Sequence, residues 1–448
     1  MRIPFAIPYA SLVVGATAPP SSTIVSIKSA TGDVNIRQLP GMLARAGHTP
    51  DPEVASFLDT AEITTLEYVH SQVVQTPPHT IDSEALCSFV TSASNKLLLQ
   101  SECAEDGSGV VFKLDSDLHV NDPDAGYQKH LKWMDMGEVW EVALPHVSRL
   151  VKAAVLDAGI DWTDRDFAPL RGRVAKRSGG YLEGGWNFFS NSSDLTTGET
   201  HGTNVCKILA AKSNNSFGIA GVAPNVTLIP LQMVDDDTNL PLSKFLAAID
   251  MAIDLEVDVM SVSLGYYFSR LNATKQHLLW NALHSAHQHG ILLVSAAGND
   301  DDEASDIYPC WFGGPLSICV ANLDDHRPQN FLNAHSNFGE RVDVAAYGTN
   351  IFTGRDEDGN LRYFSGTSAS TPVVTGLVAI LLSMGTDPMM VKRLLLANVD
   401  PMAPIHHGAI RGGAINALKT VEDAIRSRPV NLTAGEGGGG CRSDFDPG

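Results

Sequence analysis

The sequence predicts an α/β protein: a parallel β-sheet flanked by helices, preceded by a small α+β domain. Two observations carry the prediction. From Val151 onward, short and wholly apolar runs alternate with amphipathic helical stretches, as expected when each strand is buried on both faces. Before Val120 that alternation is missing, and short candidate strands flank polar helical stretches instead.

The first unit has candidate strands at 23–27 and at 109–114 (GVVFKL). Residues 115–128 come next; they are polar, carry Asp122-Pro123 and Gly126, and read as an exposed, cleavable linker. The sheet strands are expected at 151–156, 226–231, 257–264 and 291–296. Between the last two, Leu278, Leu279, Ala282, Leu283 and Ala286 fall on one face of a helix over 273–289, and Gly290 supplies its stop. Ligands of parallel sheets bind at the carboxyl ends of the strands, so the polar residues just after each strand matter most. The tail 433–448, with its Gly-Glu-Gly-Gly-Gly-Gly run, reads as flexible.

The chain has 448 residues, room for about three average domains, and its 44% apolar content can build sizeable cores. Lys and Arg number 31 against 51 Asp and Glu, a formal net charge of −20. That balance disfavours nucleic acid as a partner and attachment to anionic membranes, since both need basic residues. No uninterrupted apolar stretch approaches the length of about 18 residues that a spanning helix needs, so no membrane anchor is expected.

Residues 1–18 read as a secretory signal: Arg2 precedes an apolar run that ends in Ala16-Thr17-Ala18. Pro4, Pro8 and Pro19 depart from that pattern, and an irregular N-terminal tail is the alternative. Glycosylation triplets begin at Asn191, Asn214, Asn225, Asn272 and Asn431, in keeping with export. Six cysteines permit 15 disulfide connectivities, among which sequence does not choose. The near pairs Cys87 with Cys103 and Cys310 with Cys319 are the expected ones. Cys206 and Cys441 are left over, with Cys206 in a helix as an inert core thiol.

Four motifs sit where a strand or loop delivers chemistry. Asp157-Ala158-Gly159 closes the strand at 151–156; the carboxylate can orient a histidine, bind a metal or cap the turn. His201-Gly202-Thr203 enters a helix whose inward residues are Val205, Ile208 and Leu209. Gly366-Thr367-Ser368 opens an apolar helix, with Pro372 expected in its first turn. Ala297-Gly298-Asn299 ends the strand at 291–296, where an amide can donate to a developing oxyanion. Capping and turn roles explain each motif alone, but an Asp, a His, a Ser and an oxyanion donor within one α/β unit make coincidence improbable.

On these residues, with Ser261-Val262-Ser263-Leu264-Gly265 added, the chain resembles the subtilisin-family serine proteases (subtilases) from about Asn121 to Ile425, in the order Asp, His, Ser. It departs from the family at Ala158, Asn204 and Ala369-Ser370-Thr371, none of which removes a catalytic group. The resemblance implies a subtilisin-like sheet and a serine endopeptidase with Asp157, His201 and Ser368 as triad and Asn299 at the oxyanion. It implies that Ser263, Leu264, Gly265, Ala297 and Gly298 flank an extended protein substrate. Asp166, Asn215 and loop carbonyls would hold a structural calcium ion, and no organic cofactor is implied. Ile307 falls where many relatives carry a glycine, so a shallower primary pocket is expected. Asp300, Asp301, Asp302, Glu303 and Asp306 either favour basic substrate residues or form a solvated acidic loop.

The resulting division is a signal peptide at 1–18, an inhibitory propeptide at 19–120, the catalytic domain at 121–430 and the flexible tail at 431–448. The whole would be a secreted, self-processing zymogen whose partners are protein substrates and its own propeptide. A catalytically silent scaffold that binds peptides is the rival reading. A dinucleotide-binding protein is a weaker one, because Gly159 is followed by Ile160-Asp161 and not by a G-x-G-x-x-G pattern.

Overall fold

The computed structural model describes residues 21–428, apart from 30–31, 67–70, 77–79, 106–114, 116, 168–169, 326–329 and 404–408. The expected signal peptide, the strand at 109–114, Asn431, Cys441 and the tail lie outside the described residues. The chain divides into two units at Val111/Phe112.

The first unit is an antiparallel sheet carrying helices. Its strands are β1 (Ser21–Ser29), β2 (Gly32–Asp33), β3 (Ile63–Leu66), β4 (Ser71–Thr76) and β5 (Gln100–Glu105). They run in the order β2-β1-β4-β3, and β5 lies off that path, paired to β1 over Thr23–Lys28. Strand β4 alternates buried and half-buried residues, the pattern of a sheet with one covered face. Helices α1 (Leu39–Arg45), α2 (Pro52–Thr60) and α3 (Ser83–Leu97) close the core around Val25, Ile27, Leu58, Val74, Leu86 and Val90. Asp51 and Asp82 cap α2 and α3 by accepting backbone N–H groups of their first turns. The Cys87–Cys103 disulfide ties α3 to β5.

The second unit opens with α4 (Lys129–Trp133) and α5 (Met136–Ala143) and is built on a seven-stranded parallel sheet. Its longer strands are β6 (Lys152–Asp157), β10 (Thr227–Gln232), β11 (Val259–Val262), β13 (Leu292–Ala296), β15 (Ser317–Leu323) and β16 (Val344–Tyr347). With β9 (Trp186–Asn187) at one edge the order is β16-β15-β13-β11-β6-β10-β9. Two short hairpins, β7 (Arg173–Ala175) with β8 (Tyr181–Glu183) and β17 (Ile351–Arg355) with β18 (Leu361–Phe364), and the pair β12 (Tyr266–Tyr267) with β14 (Ile307–Tyr308) complete the strands.

Alternate residues of β6, β10, β11 and β13 enter opposite cores, whereas the apolar residues of β15 and β16 all enter the core that holds Ala153 and Val155. Ala153, Val155, Val259 and Val294 pack with α6 (His201–Ala210) and α9 (Thr367–Ser383). Ala154, Leu156, Met260 and Leu293 pack with α7 (Leu242–Asp254) and α8 (Ala273–Gln288). Burial on both faces explains why these strands read as continuous apolar runs. In α8, Leu279, Leu283 and Ala286 are buried as expected, but Leu278 lies off that face, 47% exposed. Two further helices, α10 (Pro388–Ala397) and α11 (Ala417–Arg426), finish the unit.

One expectation is corrected here. Residues 115–128 are not an exposed linker and do not belong with the first unit. Leu118, Val120, Ala125 and Gln128 are buried in the second unit, where Gln128 exchanges two hydrogen bonds with the backbone of Ala220. No helix among the described residues is long and apolar enough to cross a membrane.

Candidate active site

The sheet brings Asp157, His201, Asn299 and Ser368 to its carboxyl end. Asp157 closes β6 and is 1% exposed; its Oδ1 accepts the Ala158 N–H at 2.8 Å. The same oxygen lies 2.8 Å from Nδ1 of His201, the first residue of α6. Glycine makes this approach possible. A Cβ on Gly202 would stand 2.3 Å from the Gly159 carbonyl oxygen, and Gly159 itself has φ +102°. The His201 ring rests edge-on against Phe364 at 5.1 Å between centroids. Burial opposes its charged form, but the charge and hydrogen bond of Asp157 outweigh that, and its pKa is raised.

Ser368 is the second residue of α9 and half-buried. Its Oγ donates to the Ser263 carbonyl at 2.9 Å, and the Ser263 hydroxyl donates to the Ser368 carbonyl at 2.9 Å. Pro372 is not in the first turn of α9, as expected, but sixth along the helix. It has no N–H to offer the carbonyl four residues before it, which is that of Ser368. Ser263 fills the gap.

Asn299 is oriented by a residue to which the sequence assigned no role. Its Oδ1 accepts both the backbone N–H (2.9 Å) and the hydroxyl (3.1 Å) of Thr367, which leaves the Nδ2 donors facing away from that anchor. Asn337, also without an assigned role, is 1% exposed and braces the loop. Its Oδ1 accepts from Asp300 and Asp302, and its Nδ2 donates to Ala297.

A depression of about 250 Å³ beside Ser368 is lined by Ser263, Leu264, Gly265, Gly298, Asp300 and Ile307, among others. Ala297 is fully buried and does not line it. Ile307 packs against Gly265, where a Cβ would meet its Cγ2 at 3.0 Å. Of the acidic run, Asp300 lines the depression and accepts the Tyr267 hydroxyl at 2.9 Å, whereas Asp306 is bound to Ser269.

Asp166 and Asn215 are adjacent. Asp166 is buried, accepts from Asn215 Nδ2 (3.0 Å) and Ile219 N (3.1 Å), and burial pushes its pKa up to about 7. The buried Asp166 carboxylate suits a divalent cation by charge, but Asn215 turns its Nδ2, not its oxygen, to Asp166, and its Oδ1 accepts the Phe217 N–H, so Asn215 does not present an oxygen to it. No cluster of three acidic, His or Cys side chains supports such an ion among the described residues. Asn191, Asn214, Asn225 and Asn272 are exposed, and Asn272 also caps α8. Cys310 is bonded to Cys319. Cys206 is a buried free thiol whose pKa is driven well up by burial and by Asp157.

Residues 148–419 match the sequence profile of the subtilase family. The thermophilic serine proteinase of Bacillus sp. (strain AK1) is 32% identical over 251 residues, covering 56% of this chain and 56% of that protein. Thermitase of Thermoactinomyces vulgaris is 28% identical over 285 residues, covering 64% of this chain and 92% of thermitase. The chain thus spans a little over half of the first relative and nearly all of the second. Proteases from Pseudoalteromonas arctica share the fold, with a TM-score of 0.52 at 22% identity over 68% of this chain and 99% of theirs.

Proposed function

The chain belongs to the subtilase family, and from that premise we propose that it is a serine endopeptidase working through Asp157, His201 and Ser368. The observation that carries the reading is the 2.8 Å contact between His201 Nδ1 and the buried Asp157, at the same sheet end as Ser368 and the anchored amide of Asn299. Ser368 Oγ leaves the Ser263 carbonyl, gives its proton to His201 and attacks the scissile carbonyl. Asp157 holds the imidazole in the useful tautomer and stabilises its cation. Asn299 Nδ2 and the Ser368 N–H receive the oxyanion. His201 then protonates the leaving amine, and water resolves the acyl-enzyme.

The intact set of four groups argues against a silent peptide-binding scaffold. Labelling by a fluorophosphonate, lost in Ser368→Ala together with peptide hydrolysis, tests the assignment. Hydrolysis by Ser368→Ala at the unsubstituted rate would sink it.

Substrate would lie extended along Ser263–Gly265, with selectivity left to side-chain pockets. Ile307 shortens the first of these, so Ile307→Gly should raise the ratio of Phe to Ala cleavage at that position. An unchanged ratio removes the claim.

We further propose that the first unit is a propeptide that inhibits the enzyme and is cut away in a self-processing step. Export is supported by the apolar run of 1–18, two disulfides and exposed glycosylation triplets. N-terminal sequencing of the active secreted form tests both. Calcium at Asp166 belongs to the same proposal.

A further inference from the structure

The depression of about 250 Å³ beside Ser368 has two kinds of lining. Leu264, Ala296 and Ile307 give it apolar wall, while Asp300 and Tyr267 bring a carboxylate and a phenol. Of the acidic residues at 300–303 and 306, Asp300 alone lines it.

Asp300 is fixed at both its backbone and its side chain. Its N–H donates at 2.8 Å to Asn337 Oδ1, the group that braces the loop behind Asn299. Its Oδ2 accepts the Tyr267 hydroxyl at 2.9 Å, and Tyr267 is paired with Ile307 across the β12–β14 ladder. The same Oδ2 would stand 3.6 Å from a Cβ on Gly298, so the carboxylate folds back over a glycine that also lines the depression. Ile307, Tyr267 and Asp300 thus form one connected chain of contacts beside the proposed nucleophile.

The charge of Asp300 is left open. Among the described residues no lysine or arginine forms an ion pair with it. Arg270 lies instead over the face of the Tyr267 ring, 4.0 Å from its centroid. The surroundings are negative on balance. The Tyr267 pKa is raised, first by the bond to Asp300 and then by burial; the charges of Asp300 and Asp302 add to the rise, and Arg270 opposes it. Asp306, by contrast, is spent on the N–H and hydroxyl of Ser269. A carboxylate without a cation, set beside apolar wall, suits a side chain with an apolar stem and a positive end.

We propose that this pocket selects lysine or arginine in the substrate residue just before the scissile bond, with the stem against Leu264 and Ile307 and the cationic end on Asp300. This preference rests on the serine-endopeptidase reading above and names the substrate class for it. Ile307 and Asp300 then have complementary parts. The isoleucine denies depth to a rigid aromatic ring, whereas a flexible basic side chain can turn its end to the carboxylate.

Peptides that differ only at that position test the preference, with competent sites counted by fluorophosphonate labelling. In kcat/KM, lysine should exceed norleucine, which has a similar stem without the ammonium, by about 10-fold, and glutamate by about 100-fold. Asp300→Asn should bring the lysine-to-norleucine ratio down to about 1–2, and Tyr267→Phe should lower it about threefold. The ratio of the unsubstituted enzyme should also shrink at about 1 M salt, where the screening length is about 3 Å. A ratio near one in the unsubstituted enzyme would overturn the proposal. So would a ratio that survives Asp300→Asn, or a loss in Asp300→Asn that falls equally on both peptides, which is damage to the loop and not loss of charge. An enzyme that labels and cleaves without preferring lysine refutes this preference alone. A chain that neither labels nor cleaves refutes the endopeptidase reading as well.

Discussion

Ser263 and Ser368 bind one another twice, each hydroxyl donating to the other's carbonyl at 2.9 Å. The first of these bonds replaces the helical N–H that Pro372 lacks, so β11 holds the start of α9 in place. The second parks the Ser368 hydroxyl on a carbonyl that it would have to leave to act as the proposed nucleophile. Ser263→Ala removes the brace and leaves the parking site. We expect kcat to fall about 5- to 10-fold, the size of one modest hydrogen bond, with KM within about twofold. Steady-state hydrolysis of a chromogenic peptide measures this, and a change confined to KM would show that Ser263 acts through substrate binding instead.

Asn299 has its acceptor occupied by Thr367 and its donors unspent. Asn299→Ala should cost about 10²–10³ in kcat, a loss carried over from the equivalent donor of a subtilisin. Thr367→Val keeps the backbone N–H and loses the hydroxyl, so its loss should be smaller, about tenfold. Equal losses in both variants would mean that Thr367 positions more than this amide.

The raised pKa of His201 fixes the acid side of the pH profile. With His201 as the proposed general base the reaction needs the neutral imidazole, so kcat/KM should fall as pH drops through a value above the ordinary 6.5. The stabilisation from the charged pair runs the other way. It is fully present below the unfolded value and is lost as pH rises through the folded one, so the enzyme works where that stabilisation has gone. Asp157→Asn should move the acid limb to lower pH and cut kcat by about 10⁴. A pH titration of kcat/KM for both proteins checks the direction.

Asp166 is buried and pairs with an amide and a backbone N–H. If calcium occupies this place, chelator should lower Tm of the protein by several degrees, and Asp166→Asn should erase the difference between calcium and chelator. Calorimetry in both conditions reads it directly; a calcium effect retained in Asp166→Asn would move the ion elsewhere.

The legible part of the candidate site was the part carried by local position. Asp157, His201, Ser368 and Asn299 each stand at a strand end or helix start that the apolar pattern marks out. Thr367 and Ser263 stand at such positions too, but their bonding roles were not legible, because their partners lie far along the chain: 68 residues for Thr367 and Asn299, 105 for Ser263 and Ser368. Asn337 reaches Ala297 across 40 residues. Strand β15 is buried throughout, yet Ser317 and Asn322 break up its apolar signal. Residues 115–128 misled for a related reason. Asn121 and Asp122 look like linker residues, but they accept the N–H groups of 214–216, which a single-sequence reading cannot pair.

Gly202 joins fold to chemistry most directly. It lets α6 press against the Asp157-Gly159 turn, where a Cβ would sit 2.3 Å from the Gly159 oxygen and 3.0 Å from its nitrogen. Both are backbone atoms, so no side chain can swing aside. Gly202→Ala must therefore push the start of α6 away from β6, and His201, the preceding residue, moves with it. Misplacing a general base by about an ångström costs on the order of 10² in rate. We expect at least that loss in kcat, together with a lower Tm from the disturbed packing of Val205 and Leu209. Reaction with a fluorophosphonate separates the two effects: folded Gly202→Ala should label far more slowly than the unsubstituted enzyme at a temperature well below its own Tm. Labelling at the unsubstituted rate would show that the turn yields without disturbing His201.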